Sequence, residues 1–322
     1  GFIDNKPKPN RWGLAPEPDA EDTGHTSEFI IKDEVIELAK LLGITMKTIK
    51  ELLKDTGRVN TVCGAGNAMI AKLAENAGFD SVWISSFEMH AWSRLPDASI
   101  LNSTDYASTI EKIADRIEVP ILVDGDEGGP SSVNTIRMVR EYGKAGASAI
   151  CIEDNPSPKR CSFYGMKKEL EKPNIMVGKI QAALDNKVND DFAVIARTES
   201  LIQGRGLDVA MERARMYIDA GCDGFLIHSK SKTPDEVLEF ADKYHAAGLK
   251  TPLVCVPTTY NQVTLNQLEN AGFSLCIYAN YSVRAVVKVL ENMFSEIVKN
   301  GTLSAGNNLV VSMDKIFELI AV

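Results

Sequence analysis

The residues best suited to chemistry lie where short apolar runs of the chain end in carboxylates. The segment 150–162 passes from an apolar run into Glu153 and Asp154, and then into a loop with two prolines and two adjacent basic residues. Earlier in the chain, another apolar run ends in Asp124 and Asp126 and is followed by two glycines. Two such strand ends side by side would form an acidic pocket suited to a hard divalent cation such as Mg²⁺. Ordinary acidic loops are the alternative, which the repeated layout disfavours.

The composition is that of an ordinary soluble globular protein. The chain has 322 residues, of which 44% are hydrophobic and 25% are charged, enough for one large domain or two small ones. A net charge of −9 disfavours nucleic acid as a partner, because phosphate backbones are bound by clustered lysine and arginine. No apolar stretch approaches the roughly 20 residues that a membrane span needs, and the N-terminus lacks the apolar core of a signal peptide. The sequence therefore predicts a cytoplasmic protein without a membrane partner.

Five of the six cysteines have the sequence surroundings of buried apolar residues. A cysteine within or beside an apolar run behaves as a small hydrophobic residue. No two cysteines have the spacing of a zinc site, and the pattern indicates no disulfide framework. Cys161 lies in a polar loop, which makes it the cysteine with a candidate chemical role. The other five are Cys63, Cys151, Cys222, Cys255 and Cys276.

The first 57 residues are predicted to precede the main domain as an arm and two short helices. Residues 1–27 are rich in Pro, Asp, Asn and Gly without a periodic apolar pattern, which indicates an extended or mobile arm. Apolar residues then recur at helical spacing in 32–42 and 45–55, with a break at Gly43. A DNA-binding helix-turn-helix is the alternative, but the absence of basic character favours a packing role.

From residue 58 to residue 322, apolar runs alternate with segments of helical periodicity such as 132–145. Fully apolar runs are typical of parallel strands that are buried on both faces. Several helical segments end in Ala-Gly, where glycine can adopt the left-handed conformation that stops a helix. A doubly wound open sheet is the alternative, but Gly64-Ala65-Gly66-Asn67 lacks the third glycine of its phosphate turn. The sequence thus predicts a closed (β/α)8 TIM-type barrel in the α/β class, with strands at 59–63, 81–85, 120–124, 149–153, 192–196, 224–228, 252–256 and 274–278.

Polar side chains cluster at the C-terminal ends of these predicted strands, where barrel enzymes carry their reactive residues. Three carboxylates, those of Asp124, Asp126 and Glu153, could hold Mg²⁺ directly or through water. Arg197 and His228 would face the cation, so the implied substrate is a small polyanion whose oxygens chelate the metal. A hydrogen-bonded histidine and an ion pair within the barrel mouth are the structural alternatives for these two residues. The other polar strand ends are Ser85, Ser86, Thr258 and Asn280.

At these residues the sequence resembles the phosphoenolpyruvate mutase branch of the isocitrate lyase superfamily, across nearly all of residues 59–322. The segments 228–230 (His-Ser-Lys) and 256–258 (Val-Pro-Thr) favour this branch over the carbon–carbon lyases. Residues 311–317 resemble the closing helix of the family. The other matching motifs are Val82-Trp83-Ile84-Ser85-Ser86, Pro96-Asp97, Asp124-Gly125-Asp126, Glu153-Asp154, Pro158-Lys159, Ala196-Arg197-Thr198-Glu199, Gly206-Leu207-Asp208 and Tyr278-Ala279-Asn280.

The resemblance implies a barrel that exchanges its last helix with a neighbour in a dimer of dimers. It implies Mg²⁺ held around Asp124, with Asp126 and Glu153 as further ligands, and a gating loop that carries Lys159. The implied reaction interconverts phosphoenolpyruvate and phosphonopyruvate, as the phosphoryl group leaves oxygen and is captured by C3 of the pyruvate enolate. The implied catalytic residues are Asp97, Lys159, Cys161, Arg197 and His228, and the implied substrate-binding residues are Trp83, Ser85, Ser86, Phe87, Arg160, Ser162, Thr258 and Asn280.

The predicted gating loop departs from the mutase pattern. Asn155 stands where a second lysine is usual, and Cys161 stands where an asparagine is usual. The run 159–161 instead resembles the loop of the lyases, whose cysteine protonates a departing enolate, although Ser162-Phe163 replaces its Gly-His. We therefore expect a phosphoenolpyruvate mutase, with phosphonopyruvate hydrolase, a carbon–carbon lyase for a 2-hydroxy acid and a non-catalytic barrel as alternatives.

Overall fold

The computed structural model describes residues 47–55, 57–159 and 169–321, and a parallel sheet forms the centre of this part of the chain. Its strands are β1 (Asn60–Gly64), β2 (Ser81–Ile84), β3 (Ile121–Asp124), β4 (Ala149–Glu153), β5 (Ala193–Thr198), β6 (Gly224–Ile227), β7 (Leu253–Cys255) and β8 (Phe273–Tyr278). The strands pair in sequence order, and β1 pairs again with β8, so the sheet closes into a barrel. The predicted (β/α)8 fold is confirmed. The open-sheet alternative is wrong, because an open sheet would leave β1 and β8 unpaired with each other.

Helices surround the barrel and connect its strands. They are α1 (Ile49–Lys54), α2 (Ala68–Asn76), α3 (Ser86–Trp92), α4 (Ser103–Ala114), α5 (Ser132–Ala145), α6 (Pro173–Asn186), α7 (Gly206–Asp219), α8 (Asp235–Ala246), α9 (Leu265–Asn270), α10 (Tyr281–Asn300) and α11 (Met313–Ile320), with a 3₁₀ helix at Leu303–Leu309. Helix α5 has the predicted bounds. Its C-cap is Gly146, whose φ of 108° is readily adopted by glycine but strained for other residues. No helix in the described ranges is long and apolar enough to cross a bilayer.

The core has two layers because neighbouring residues of a strand point to opposite faces of the sheet. On β4, Ala149 and Cys151 belong to the cluster that fills the barrel interior. Ile150 and Ile152 belong to the cluster between the strands and the helices. All five residues of β4 are buried, as the apolar run predicted. The same layers bury Cys151, Cys222, Cys255 and Cys276, whereas Cys63 is partly exposed.

Helix α1 lies against the barrel interior at the end where the strands begin. Its cap is a pair of reciprocal hydrogen bonds between Thr48 and Glu51. Leu52 and Leu53 are buried in the interior cluster, and the side-chain amide of Asn60 donates to the Leu52 carbonyl over 2.9 Å. This confirms a helix inside the predicted segment 45–55, whereas segment 32–42 and the arm lie outside the described residues. With α1 at this end, the opposite ends of the strands are left to form a site.

Candidate active site

The C-terminal ends of the strands bring the predicted acidic and basic residues together. Asp124 ends β3 and Glu153 ends β4, and the register pairs Glu153 with Arg197 of β5. Asp126 follows in the turn after β3, and His228 follows β6. All five residues are buried, with at most 8% of their surface exposed. The result is a recessed cluster of charged side chains in the barrel mouth.

Lys159 holds the first half of this cluster together. Its ammonium group lies 2.6 Å from Asp126 Oδ1 and 3.0 Å from Asp97 Oδ1. The Ser86 hydroxyl lies between the same two acids, 2.9 Å from Asp97 Oδ1 and 3.0 Å from Asp126 Oδ2. Lys159 is also 3.4 Å from Ser86 Oγ. The loop after β4 therefore meets the turns after β2 and β3 at one point.

Arg197 holds the second half of the cluster. Its Nε donates to Glu199 Oε1 over 2.7 Å, and one terminal nitrogen lies 3.1 Å from Glu153 Oε2. That nitrogen is also 2.8 Å from His228 Nδ1, which in turn lies 2.9 Å from Glu199 Oε1. Glu199 was part of a predicted motif but was not predicted as a site residue. It is the carboxylate that joins the guanidinium to the imidazole.

The cluster carries more negative than positive charge. Among the described residues, five carboxylates (Asp97, Asp124, Asp126, Glu153 and Glu199) share it with two permanent cations, Lys159 and Arg197. Burial raises the pKa of Asp126 to about 7 and the pKa of Glu153 to about 8, against the opposing effect of the cations. The surrounding carboxylates raise the pKa of Lys159 despite its own burial, so the lysine stays charged. Burial therefore favours the protonated forms of Asp126 and Glu153 near neutral pH, which reduces the excess negative charge of the metal-free cluster.

His228 is neutral in this environment. Burial lowers its pKa first, and the neighbouring Arg197 guanidinium lowers it further, while Glu199 acts in the opposite direction. A neutral imidazole offers one N–H and one lone pair. Nδ1 contacts both Glu199 and Arg197, which holds the ring against the second half of the cluster.

Asp154 follows Glu153 directly but has a structural role. Because side chains alternate along a strand, Glu153 faces the barrel mouth and Asp154 faces the surrounding helices. Asp154 accepts hydrogen bonds from the Thr198 hydroxyl at 2.7 Å, the Glu199 N–H at 2.7 Å and Arg213 at 2.9 Å. Of these two adjacent carboxylates, Glu153 therefore belongs to the site, whereas Asp154 fixes the backbone of Glu199.

The donor set at this site fits a hard divalent cation. Asp124 accepts long hydrogen bonds of 3.2 Å and 3.3 Å from the N–H groups of Asp126 and Ser86. Glu153 Oε2 is buried 3.1 Å from the Arg197 guanidinium, an ion pair without hydrogen-bond geometry. In the described ranges, no three acidic, histidine or cysteine side chains are arranged as a complete ligand set. Lys159 and Arg197 instead lie against Asp126 and Glu153. A divalent cation would offset the charge excess, with Asp124 as its direct ligand.

The remaining predicted residues have varied positions. Ser85 caps α3 by accepting from the Glu88 N–H, and Trp83 is buried in the barrel interior. Phe87 is 40% exposed on α3, and Thr258 is partly buried in the turn after β7. Asn280 begins α10 with a φ of 58°. The predicted residues outside the described ranges are Arg160, Cys161 and Ser162.

Two buried residues of α3 were missed by the sequence analysis. Glu88 accepts hydrogen bonds from the Asn280 N–H at 2.7 Å and the Ser282 hydroxyl at 2.8 Å, which ties α3 to the start of α10. His90 contacts Ser86, four residues before it on the same helix. The spacing of four residues between Ser86 and His90 could have predicted their contact on a helix. The contact between Glu88 and Asn280 could not be predicted in this way, because the two residues are 192 positions apart.

The fold and these side chains define a class of protein, a (β/α)8 barrel with buried charged residues at the C-terminal strand ends, where barrel enzymes have their active sites. The family described as Phosphoenolpyruvate phosphomutase matches residues 49–298. The chain therefore belongs to the phosphoenolpyruvate phosphomutase family.

Individual relatives include both a mutase and a hydrolase. A phosphonopyruvate hydrolase from Variovorax sp. (strain Pal2) is 39% identical over 269 residues, which cover 82% of this chain and 91% of the relative. The crystal structure of a phosphoenolpyruvate phosphomutase from Streptomyces platensis subsp. rosaceus has 38% identity and a TM-score of 0.81, covering 84% of this chain and 93% of the other. A phosphonopyruvate hydrolase in complex with oxalate and Mg²⁺ has 38% identity and a TM-score of 0.78, covering 85% and 95%.

Proposed function

We propose that this protein is a Mg²⁺-dependent phosphoenolpyruvate mutase that interconverts phosphoenolpyruvate and phosphonopyruvate. The phosphoryl group leaves the enol oxygen and bonds to C3 of the same pyruvate unit. One P–O bond breaks and one P–C bond forms, so the reaction consumes no water and leaves the number of protons unchanged. The observation that carries the proposal is the placement of Lys159 and Arg197 on two halves of one buried acidic cluster.

In this proposal the two halves of the cluster have different tasks. Lys159, Ser86 and Asp97 lie together and would position and restrain the transferred phosphoryl group. A fixed cation at that point stabilises charge that spreads over the phosphoryl oxygens in a loose transition state. The proposal requires that the phosphoryl group stay close to the enolate and that water be kept from it.

The second half of the cluster would hold the pyruvate end of the substrate. Arg197 is kept in place by Glu199, and its planar guanidinium is suited to bidentate contact with a carboxylate. His228 contacts both Arg197 and Glu199 and so lies in the same region. Asp124, Asp126 and Glu153 would hold Mg²⁺, which when bound supplies charge stabilisation for the enolate oxygen. A homologous hydrolase that binds Mg²⁺ and oxalate, itself an enolate-like dianion, supports this cofactor.

Phosphonopyruvate hydrolase is the second candidate, because the Variovorax hydrolase is 39% identical to this chain. The hydrolase would transfer the same phosphoryl group to water and release pyruvate. Asn155 bears on this choice, since its amide donates to Glu153 Oε1 over 2.7 Å at a position where the mutase pattern has a lysine. The site therefore has one fixed cation fewer than that pattern to restrain a phosphoryl group.

Phosphorus NMR tests the proposed function. The protein is incubated with Mg²⁺ and with either phosphonopyruvate or phosphoenolpyruvate, and products are followed with time. We expect a phosphoenolpyruvate signal that approaches equilibrium from both directions. Phosphate and pyruvate as the sole products would establish the hydrolase, and turnover of a 2-hydroxy acid to two carbonyl fragments without phosphonate turnover would establish a lyase. The variant Asp124→Asn is the negative control for contaminating enzymes.

We also propose that the protein assembles as a dimer of dimers. Apolar residues recur at spacings of three and four along the exposed face of α10, at Val287, Leu290, Phe294 and Val298. Helix α11 has no buried residue and exposes Met313, Phe317 and Ile320. An apolar surface of this extent is typical of a subunit interface. Sedimentation equilibrium should give a tetramer, and the cytoplasmic location stays a prediction of composition.

A further inference from the structure

A buried histidine on α3 connects the turn after β2 to the loop that carries Asp97. His90 is fully buried, and its Nδ1 lies 2.8 Å from the Ser86 carbonyl oxygen, to which it donates. Its Nε2 accepts from the backbone N–H groups of Ile100 and Leu101, each at 3.3 Å. An imidazole nitrogen that accepts from two N–H groups carries no proton. The three contacts therefore fix His90 as the neutral tautomer with its proton on Nδ1.

The segment held by His90 is one whose backbone needs an external constraint. Residues 93–102 join α3 to α4, and within them Arg94 and Ser99 both have a φ of 53°. This left-handed region is disfavoured for residues other than glycine and persists where the surrounding structure imposes it. Ile100 and Leu101 follow Ser99 directly, so the hydrogen bonds to Nε2 act where the strained backbone must be fixed.

The two ends of the histidine bracket the groups proposed to hold the phosphoryl end of the substrate. On one side, His90 binds the backbone of Ser86, whose hydroxyl contacts Asp97 and Asp126. Through Nε2, His90 binds the backbone of the loop that carries Asp97. Its Nδ1 also lies 3.8 Å from Asp97 Oδ1. Lys159 contacts both Ser86 and Asp97. A displacement of the loop would therefore change the distances among all three side chains.

We propose that His90 is a positioning residue for the phosphoryl subsite, a role that rests on the proposed function. It sets the separation between Ser86 and Asp97 and thereby the position of the Lys159 ammonium, without contacting the substrate itself. A histidine that only fills the core is the competing explanation. The two explanations differ in whether the effect of a His90 substitution depends on the presence of Asp97.

The test compares His90→Gln, which keeps an acceptor near the Nε2 position, with His90→Leu, which fills a similar volume without polar atoms. Misplacement of reactive groups by about 1 Å costs about 10²-fold, so His90→Leu should lower kcat by about that factor with a smaller change in KM. His90→Gln should stay within about fivefold of the wild type, the value of one neutral hydrogen bond. His245→Leu, on the exposed side of α8, is the matched control and should leave kcat unchanged.

A double-mutant cycle with Asp97→Asn separates positioning from packing. If His90 acts through Asp97, His90→Leu should cause little further loss in the Asp97→Asn background. Full multiplication of the two losses, or a His90→Leu enzyme within about threefold of the wild type, would overturn the proposal. If His90→Leu does not fold, His90→Asn replaces it. Asparagine reaches the Ser86 carbonyl but is too short to reach the loop amides, so it should show the loss that glutamine does not.

Hydrogen exchange provides a readout that does not depend on the reaction. The amides of Ile100 and Leu101 should exchange faster in His90→Leu than in the wild type, and His90→Gln should restore their protection. Unchanged exchange at both amides would contradict the role of His90 even in an active enzyme. If exchange responds as expected and no phosphonate is turned over by the wild type, the positioning contacts are real and the proposed function is wrong.

Discussion

Lys159 Nζ lies 2.6 Å from Asp126 Oδ1, and this ion pair joins the loop after β4 to the turn after β3. The lysine is buried, and Asp97 is its second carboxylate partner. A buried ion pair of this kind is weak evidence for a stabilising role, because the cost of desolvation offsets much of the attraction. Its position between acids at a barrel mouth is better explained by the reaction that we propose for this site.

Replacement of Asp124 tests the metal assignment. Asp124→Asn removes the charge of the proposed direct ligand while keeping the side-chain volume, and we expect kcat to fall by about 10³-fold without loss of fold. Chelation of the wild type should abolish activity, and Mg²⁺ or Mn²⁺ should restore it. Asp115→Asn, at an exposed position after α4, is the matched control. Near-normal turnover of Asp124→Asn, or full activity in a chelator, would remove the assignment.

Replacement of Lys159 tests the phosphoryl subsite. Lys159→Met keeps the length of the side chain without the charge, and loss of one preorganised group that stabilises the transition state costs about 10²–10³-fold in kcat. The measurement is steady-state turnover of phosphonopyruvate at saturating Mg²⁺. Lys112→Met, on the exposed face of α4, should have no effect. A Lys159→Met enzyme with normal kcat and a raised KM would assign the lysine to substrate capture alone.

The raised pKa values of Asp126 and Glu153, about 7 and about 8, predict a pH-dependent effect of metal on stability. In the unfolded chain the pKa of both groups is about 4. The folded, metal-free protein therefore binds these protons more tightly, and its free energy of unfolding falls as pH rises from about 4 to about 8. Since a divalent cation favours the ionised acids, Mg²⁺ should raise Tm more at about pH 8 than at about pH 5. Thermal unfolding with Mg²⁺ and with EDTA measures both shifts.

The double variant Asp126→Asn with Glu153→Gln is the control for this linkage. In EDTA it should lose most of the pH dependence of the free energy of unfolding, because neither amide titrates and this comparison does not involve the metal. A Mg²⁺-induced shift in the wild type that is equal at both pH values, or larger in acid, would contradict the protonation of these acids in the metal-free site.

Cys161 separates the reactions that this family carries out, although it lies outside the described residues. An acid that protonates a released enolate contributes about 10²–10⁴-fold, and Cys161→Ser should reduce pyruvate formation by that factor if the enzyme is a hydrolase or lyase. The mutase needs no proton from the enzyme, so we expect phosphoenolpyruvate formation to change far less. The measurement is the ratio of the two products, with the buried Cys222→Ser as control. A hundredfold loss of a dominant pyruvate product would overturn the mutase proposal.

The barrel and most of the site were predictable from local patterns, whereas the pairing within the site was not. The apolar runs identified the strands, and the polar residues that follow them identified Asp124, Glu153 and Arg197, because all parallel strands of a barrel end at the same side. The different orientations of Glu153 and Asp154 were also predictable, because successive side chains of a strand point to opposite faces of the sheet. The role of Glu88 depends on packing of α3 against residues at the opposite end of the chain, which no local pattern encodes.

The choice between mutase and hydrolase was also beyond the local pattern, because relatives named as each match more than four fifths of this chain at similar identity. The two reactions differ in whether water reaches the phosphoryl group, which no local sequence pattern encodes. Asn155, whose amide donates to Glu153, is a position where this chain departs from the mutase pattern without a change of fold.

Turnover of phosphonopyruvate in ¹⁸O-enriched water tests the central claim most directly. In the mutase the phosphoryl group passes from carbon to the enol oxygen of the same pyruvate unit and never meets water. We therefore expect phosphoenolpyruvate whose phosphoryl group contains no ¹⁸O. Phosphorus NMR and mass spectrometry measure the ¹⁸O content of this product. Inorganic phosphate carrying one ¹⁸O atom as the main initial product, with no phosphoenolpyruvate, would contradict it.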